Sequence, residues 1–65
     1  MDYVDRLTAL RIDNDIKQET IAKILNVQQS AISKYEKRRA EMTIQQLIVL
    51  CKFYEVSADK ILGLY

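Results

Sequence analysis

Apolar residues return every three or four positions along most of this 65-residue chain, the spacing of amphipathic helices rather than the alternation of strands. Tyr3, Leu7 and Leu10, with Val4 beside them, predict a first helix over residues 2–13. Asp13-Asn14-Asp15 interrupts it with side chains that compete for backbone hydrogen bonds and favour turns and caps. Ile21, Ala22, Ile24 and Leu25 line a second, short helix that starts near Lys17 or Gln18. Asn26, tolerant of the left-handed conformation, is its expected terminator. A third helix follows from Gln28. Thr43 is a suitable N-cap for a fourth, whose apolar stripe is Ile44, Leu47, Ile48, Cys51 and Tyr54. Ser57 caps a fifth, carrying Ala58, Ile61 and Leu62 and ending at Gly63. The expected architecture is all-α, a five-helix bundle forming a single domain over residues 1–65.

Composition narrows the function classes. There is no Pro and one Gly, so little in the interior forces a break. No residue is His and only Cys51 is Cys, which excludes an intrachain disulfide, a zinc centre and a His-based hydrolase. Cys51 sits among apolar neighbours and reads as a small buried hydrophobe. Asp2, Asp5 and Arg6 leave no room for an apolar signal stretch, and the longest apolar run, Leu47 to Cys51, is far short of the ~20 residues that span a bilayer. A cytoplasmic, non-catalytic protein is expected, with no cofactor, membrane contact or small-molecule ligand.

The net charge of +1 conceals a segregation. Residues 1–16 hold four acids and two bases, residues 17–40 six bases and two acids, and residues 41–65 three acids and two bases. A polyanion would meet a local basic patch rather than a generally basic surface.

That patch lies on the third helix and its end, QQSAISKYEKRR. On a helical wheel Ile32, Ala31 and Tyr35 fall inward, whereas Gln29, Ser30, Ser33, Lys34 and Lys37 fall outward. The outward row has donors and acceptors but no carboxylate, unlike an ordinary solvated face. Ala22 gives a small contact point for a steep crossing, Asn26 makes the turn, and Ile32 pins the third helix to the second. Together they describe a helix-turn-helix that holds one helix outward, toward a DNA major groove.

The stretch QETIAKILNVQQSAISKYEKRR resembles the helix-turn-helix of the Cro/CI-type (XRE) regulators, through Gln18, Ile21, Ala22, Ile32, Ser33 and Glu36 in register. VSADKILGL resembles the final helix of that family, so the likeness covers nearly the whole chain and implies a lambda-repressor-like fold. Lys17 and Gln28 stand where that family has capping hydroxyls, and Arg38 where it has a helix-ending Gly. Arg38 therefore either adopts a left-handed conformation or lets the helix continue.

Chemistry and the resemblance together assign expected roles. Gln28, Gln29, Ser30, Ser33 and Lys34 are the base-reading candidates: Gln29 matches adenine N6 and N7, and Lys34 matches guanine O6 and N7. Lys17, Gln18, Lys37, Arg38 and Arg39 are the phosphate candidates. Glu36 faces inward and needs a cation; Arg11 is the expected partner, as the resemblance also implies. Double-stranded DNA is the expected partner, read by a homodimer through the C-terminal region (Ile61, Leu62, Leu64 and Tyr65), with the protein acting as a repressor. The competing class is a protein-interaction module on the same fold, an antitoxin or adaptor. It would carry an apolar outward face on the third helix, which this chain lacks. The bland reading of the patch is a hydrated surface ending in a dipole-favoured charge cluster.

Overall fold

The computed structural model describes residues 2–64 and contains five helices: α1 (Tyr3–Asp13), α2 (Gln18–Leu25), α3 (Gln29–Glu36), α4 (Ile44–Tyr54) and α5 (Ala58–Leu62). Local chemistry fixes where three of them begin. Asp2 and Asp5 form a capping box at α1, each side chain accepting the other's backbone N–H (3.0 and 3.3 Å). Thr43 and Gln46 repeat the device at α4, and Ser57 caps α5 through the Lys60 N–H. Helices α2 and α3 differ: their N-caps, Lys17 and Gln28, make no side-chain capping bond.

All five helices end alike. Asp15, Asn26, Arg38, Glu55 and Gly63 have φ between +54° and +73°. In each case the next residue's N–H reaches back to a carbonyl five residues before it, as from Val27 to Ala22 (2.9 Å) and from Arg39 to Lys34 (2.8 Å). Only Gly63 takes this conformation without steric strain. Asn26 ends α2 as its residue type implies, and Arg38 resolves the choice at the end of α3 by going left-handed. Helix α3 therefore stops at Glu36, and Lys37 is its C-cap rather than part of its outward row. Glu55 is exposed and strained. Glycine there removes roughly 1–2 kcal/mol of left-handed strain but adds about 0.4–1 kcal/mol of unfolded-state entropy. Glu55→Gly is accordingly expected to raise the urea midpoint slightly; a lower midpoint would contradict this.

The core gathers Leu7 of α1, Ile21 and Ala22 of α2, Ile32 of α3, Leu47, Leu50 and Cys51 of α4 and Ile61 of α5. Helix α2 packs chiefly on α3, and Ala22 and Ile32 both lie in that cluster, 3% exposed. Burial of each large aliphatic chain stabilises by roughly 1.5–3 kcal/mol, so Ile32 is a main fastener of α3. Burial in this cluster pushes the Cys51 thiol pKa up, which keeps it protonated and unreactive at neutral pH.

Two expectations about the apolar surface are corrected. Ile44 and Ile48 are 76% and 42% exposed, and Leu50 takes their place in the core. Helix α4 is apolar around most of its circumference, so spacing alone could not select the inward side. Ile61, expected at a dimer surface, is instead 3% exposed and packs inside. Leu62 and Leu64 are exposed, at 43% and 69%, and Tyr65 lies outside the described residues. No helix among the described residues is long and apolar enough to cross a membrane.

Candidate nucleic-acid interface

Helix α3 stands outward because Ile32 is anchored and its neighbours on the opposite arc are not. Gln28, Gln29, Ser30 and Lys34 are exposed, and Ser33 is half-buried. Lys17, Lys37, Arg38 and Arg39 are exposed and Gln18 is half-buried. The side chains of Lys17, Gln28, Ser30, Ser33, Lys34, Lys37 and Arg39 make no hydrogen bond or ion pair with other described residues. One amide, two hydroxyls and a single ammonium are therefore free among the described residues along α3, with the Gln29 amide beside them and the cations of Lys37 and Arg39 beyond its end.

Beneath this face runs a polar chain. Arg11 grips Glu36 with both ends of its fork, Nε to Oε2 at 2.7 Å and Nη2 to Oε1 at 2.9 Å, with side chains only 16% and 17% exposed. The third guanidinium nitrogen, Nη1, donates to the Ile16 carbonyl at 2.9 Å, which ties the α1–α2 link to the same residue. Glu36 Oε1 accepts a further bond from Gln18 Nε2 (2.9 Å). Gln18 Oε1 in turn accepts a long one from Gln29 Nε2 (3.4 Å). The pair thus locks α1 to α3, and Gln18 carries the lock across to α2 and to the first residue of α3. Tyr54 lies close enough to feel both charges; burial raises its phenol pKa, Arg11 lowers it and Glu36 raises it.

The structure places the predicted residues in three settings. Gln29, Ser30, Ser33 and Lys34 lie on α3 away from Ile32, and Gln28 is exposed at its N-cap. Lys17 and Gln18 sit at the start of α2, where uncapped N–H groups point outward, but the Gln18 side chain is turned inward toward Glu36. Arg38 is separated from Lys37 and Arg39 by its partners. Its Nε and Nη2 donate to Asp2 Oδ2 and Oδ1 (3.2 and 2.9 Å), and Nη2 also donates to Asp5 Oδ1. Arg38 is committed to carboxylates rather than free for phosphate.

Those hydrogen bonds from Arg38 hold the Asp2 and Asp5 carboxyls below the usual carboxylate range. Reciprocally, the two carboxylates raise the pKa of the guanidinium. A carboxyl depressed on folding adds stability above its ordinary pKa of 3.8 and loses it as pH falls through the lowered value. The clamp is therefore intact at neutral pH.

Asp2 and Asp5 were not legible as site neighbours. Their spacing is that of a capping box, but nothing local points to a cation more than thirty residues away. The Gln18–Gln29 contact was equally hidden, since it depends on how α2 and α3 cross.

Comparison with known proteins decides the family. A family model described as helix-turn-helix matches residues 7–61, from the first core leucine to the last core isoleucine. The chain belongs to the helix-turn-helix family. This is a family of DNA-binding transcription regulators, not of enzymes. The chain is 32% identical over 62 residues to YobD of Bacillus subtilis, an uncharacterized helix-turn-helix transcriptional regulator; the match covers 95% of this chain and 55% of that protein. It is 32% identical over 63 residues to BcrR, a transcriptional activator of Enterococcus faecalis, covering 97% of this chain and 31% of that one. The chain thus spans about half and about a third of these two relatives.

Two solved structures share the fold. A transcriptional regulator from Listeria innocua superposes with a TM-score of 0.88 at 27% identity, over 95% of this chain and 58% of its own. The P22 c2 repressor in complex with a synthetic operator gives a TM-score of 0.80 at 29% identity, over 95% and 94%. The likeness to Cro/CI-type regulators carried by the motif thus extends over the whole helix-turn-helix fold.

Proposed function

We propose that this chain binds double-stranded DNA in a sequence-specific manner as a small transcriptional regulator, with α3 in the major groove. The free outward face of α3 carries the reading: Gln28, Gln29, Ser30, Ser33 and Lys34 offer donors and acceptors at the scale of base edges, with no carboxylate among them to repel phosphate. Lys37 and Arg39, exposed and unpaired among the described residues, are the backbone contacts beyond the helix, and Lys17 with the open N–H groups of α2 forms a second phosphate contact on the near side. Such binding acts in the cytoplasm, where bacterial DNA lies.

Repression by operator occupancy is the reading we favour. The repressor bound to its synthetic operator is matched over 94% of its chain, whereas the activator is matched over 31% of its length, leaving most of that protein outside the likeness. The exposed apolar surface supports a homodimer as part of this reading. Leu62 and Ile44 border a groove lined also by Tyr3, Met42 and Leu47, and Leu64 follows α5 just beyond it. Dimers of such domains read half-sites about one helical turn apart.

The test is duplex binding across a series of salt concentrations. Lys37→Met and Arg39→Met should each weaken binding to every sequence and flatten the log–log salt slope by about 0.9, one phosphate each. A slope unchanged by both substitutions would remove these residues from the interface.

A further inference from the structure

We infer that Asp2 and Asp5 act as an internal stand-in for DNA phosphate: by holding Arg38 they withhold one cation from the end of α3 and so set the strength of backbone binding. The inference rests on the DNA-binding reading above and adds two residues that lie outside the helix-turn-helix.

The geometry is specific. Arg38 directly follows the C-cap of α3, and its backbone is fixed at φ +60° by the Arg39 N–H bond to the Lys34 carbonyl. Its guanidinium takes both oxygens of Asp2 in a fork, the arrangement guanidinium adopts with phosphate. It takes Asp5 as well, and Glu41 lines the same cleft. One cation thus has two carboxylates bound, while Lys37 and Arg39 on either side in the chain have none among the described residues.

The acids are not adjustable, because the α1 capping box holds both carboxylates in place. The pair is nonetheless exchangeable. Arg38, Asp2 and Asp5 are 47%, 50% and 42% exposed, and ion pairs so hydrated hold weakly. A duplex docked along α3 offers phosphates to the same fork, in competition with two carboxylates that cannot leave the site. Arg38 is then a conditional contact, and Asp2 and Asp5 are positioning residues that decide how often it is made.

The experiment compares wild type, Asp2→Asn/Asp5→Asn, Arg38→Met and the triple variant, on one duplex over a salt series, with thermal unfolding as a fold control. Asparagine preserves the capping oxygen and removes the charge. The expected result is tighter binding by the double variant with a salt slope steeper by about 0.9, one further phosphate, and loss of that gain in the triple variant. A slope equal to that of wild type overturns the inference. So does a gain that survives Arg38→Met, which would mean the acids repel DNA directly. The wild-type protein gives an independent reading through the Arg38 Nε–H resonance. It should shift when duplex is added, and an unmoved signal in a bound complex contradicts the exchange. Wild type that binds no duplex at any salt refutes the DNA-binding reading itself, and this inference with it.

Discussion

Replacing Glu36 with alanine is expected to lower the unfolding free energy by about 3 kcal/mol. The substitution strands Arg11 with two guanidinium donors pointing at an empty site, in surroundings where its side chain is 16% exposed. It also removes the acceptor of Gln18 Nε2. A domain of this length has roughly 3–10 kcal/mol in total, so the loss is a large share of what holds the fold. Urea denaturation measures it. The penalty comes from the unpaired charge rather than from the pair's net worth, so Arg11→Met/Glu36→Leu should recover most of it. A Glu36→Ala protein within about 0.5 kcal/mol of wild type would show that water already satisfies Arg11 and that the pair holds nothing together.

The second large effect is on recognition. Gln29→Ala removes an exposed amide whose only partner among the described residues is Gln18, through a long bond, so stability should stay within about 0.5 kcal/mol of wild type. Discrimination at one base-pair position should fall by about 1–3 kcal/mol, roughly 10- to 100-fold in relative affinity, while the salt slope remains unchanged. Binding to a panel of single-position duplex variants reads both quantities. An unaltered preference at every position would mean that Gln29 sits beside the groove without reading it. Gln18→Ala is informative alongside: by freeing Gln29 it should blur the same position partially.

How much of this was written in the sequence varies with the range of the interaction. Thr43, Ser57, Asn26 and Gly63 act on backbone within a few residues, and the helix ends they imply are where the structure has them. Ile32 and Ala22 were legible because a short helix with one apolar stripe has one way to face. Helix α4 was not, because it is apolar on nearly every side, and only the positions of α2 and α5 decide that Leu50 rather than Ile48 turns inward. Arg38 shows both limits at once. Its place at the end of α3 left two options for its backbone, of which the structure takes the left-handed one, and the destination of its side chain depended on α1 passing nearby. Charge counting had placed Arg38 among the phosphate contacts, whereas three-dimensional proximity gives it to Asp2 and Asp5 first.

The same distinction explains why the residues most open to the proposed partner are the least constrained by the fold. Gln28, Ser30 and Lys34 could change without disturbing the core, whereas the Arg11–Glu36 lock and Ile32 set the angle at which they are presented. Substitutions at Gln28, Ser30 and Lys34 thus act on recognition with little effect on stability, whereas Glu36 and Gln29 are coupled through Gln18.

The central claim is that the outward face of α3 reads base sequence. The most direct test is selection of bound duplexes from a random pool by the wild-type protein, followed by sequencing. The account predicts enrichment of a two-fold symmetric site with half-sites about one helical turn apart, bound far more tightly than the unselected pool. A pool that stays random after selection, with binding that only tracks salt, would contradict it and leave the face as a basic patch without a code.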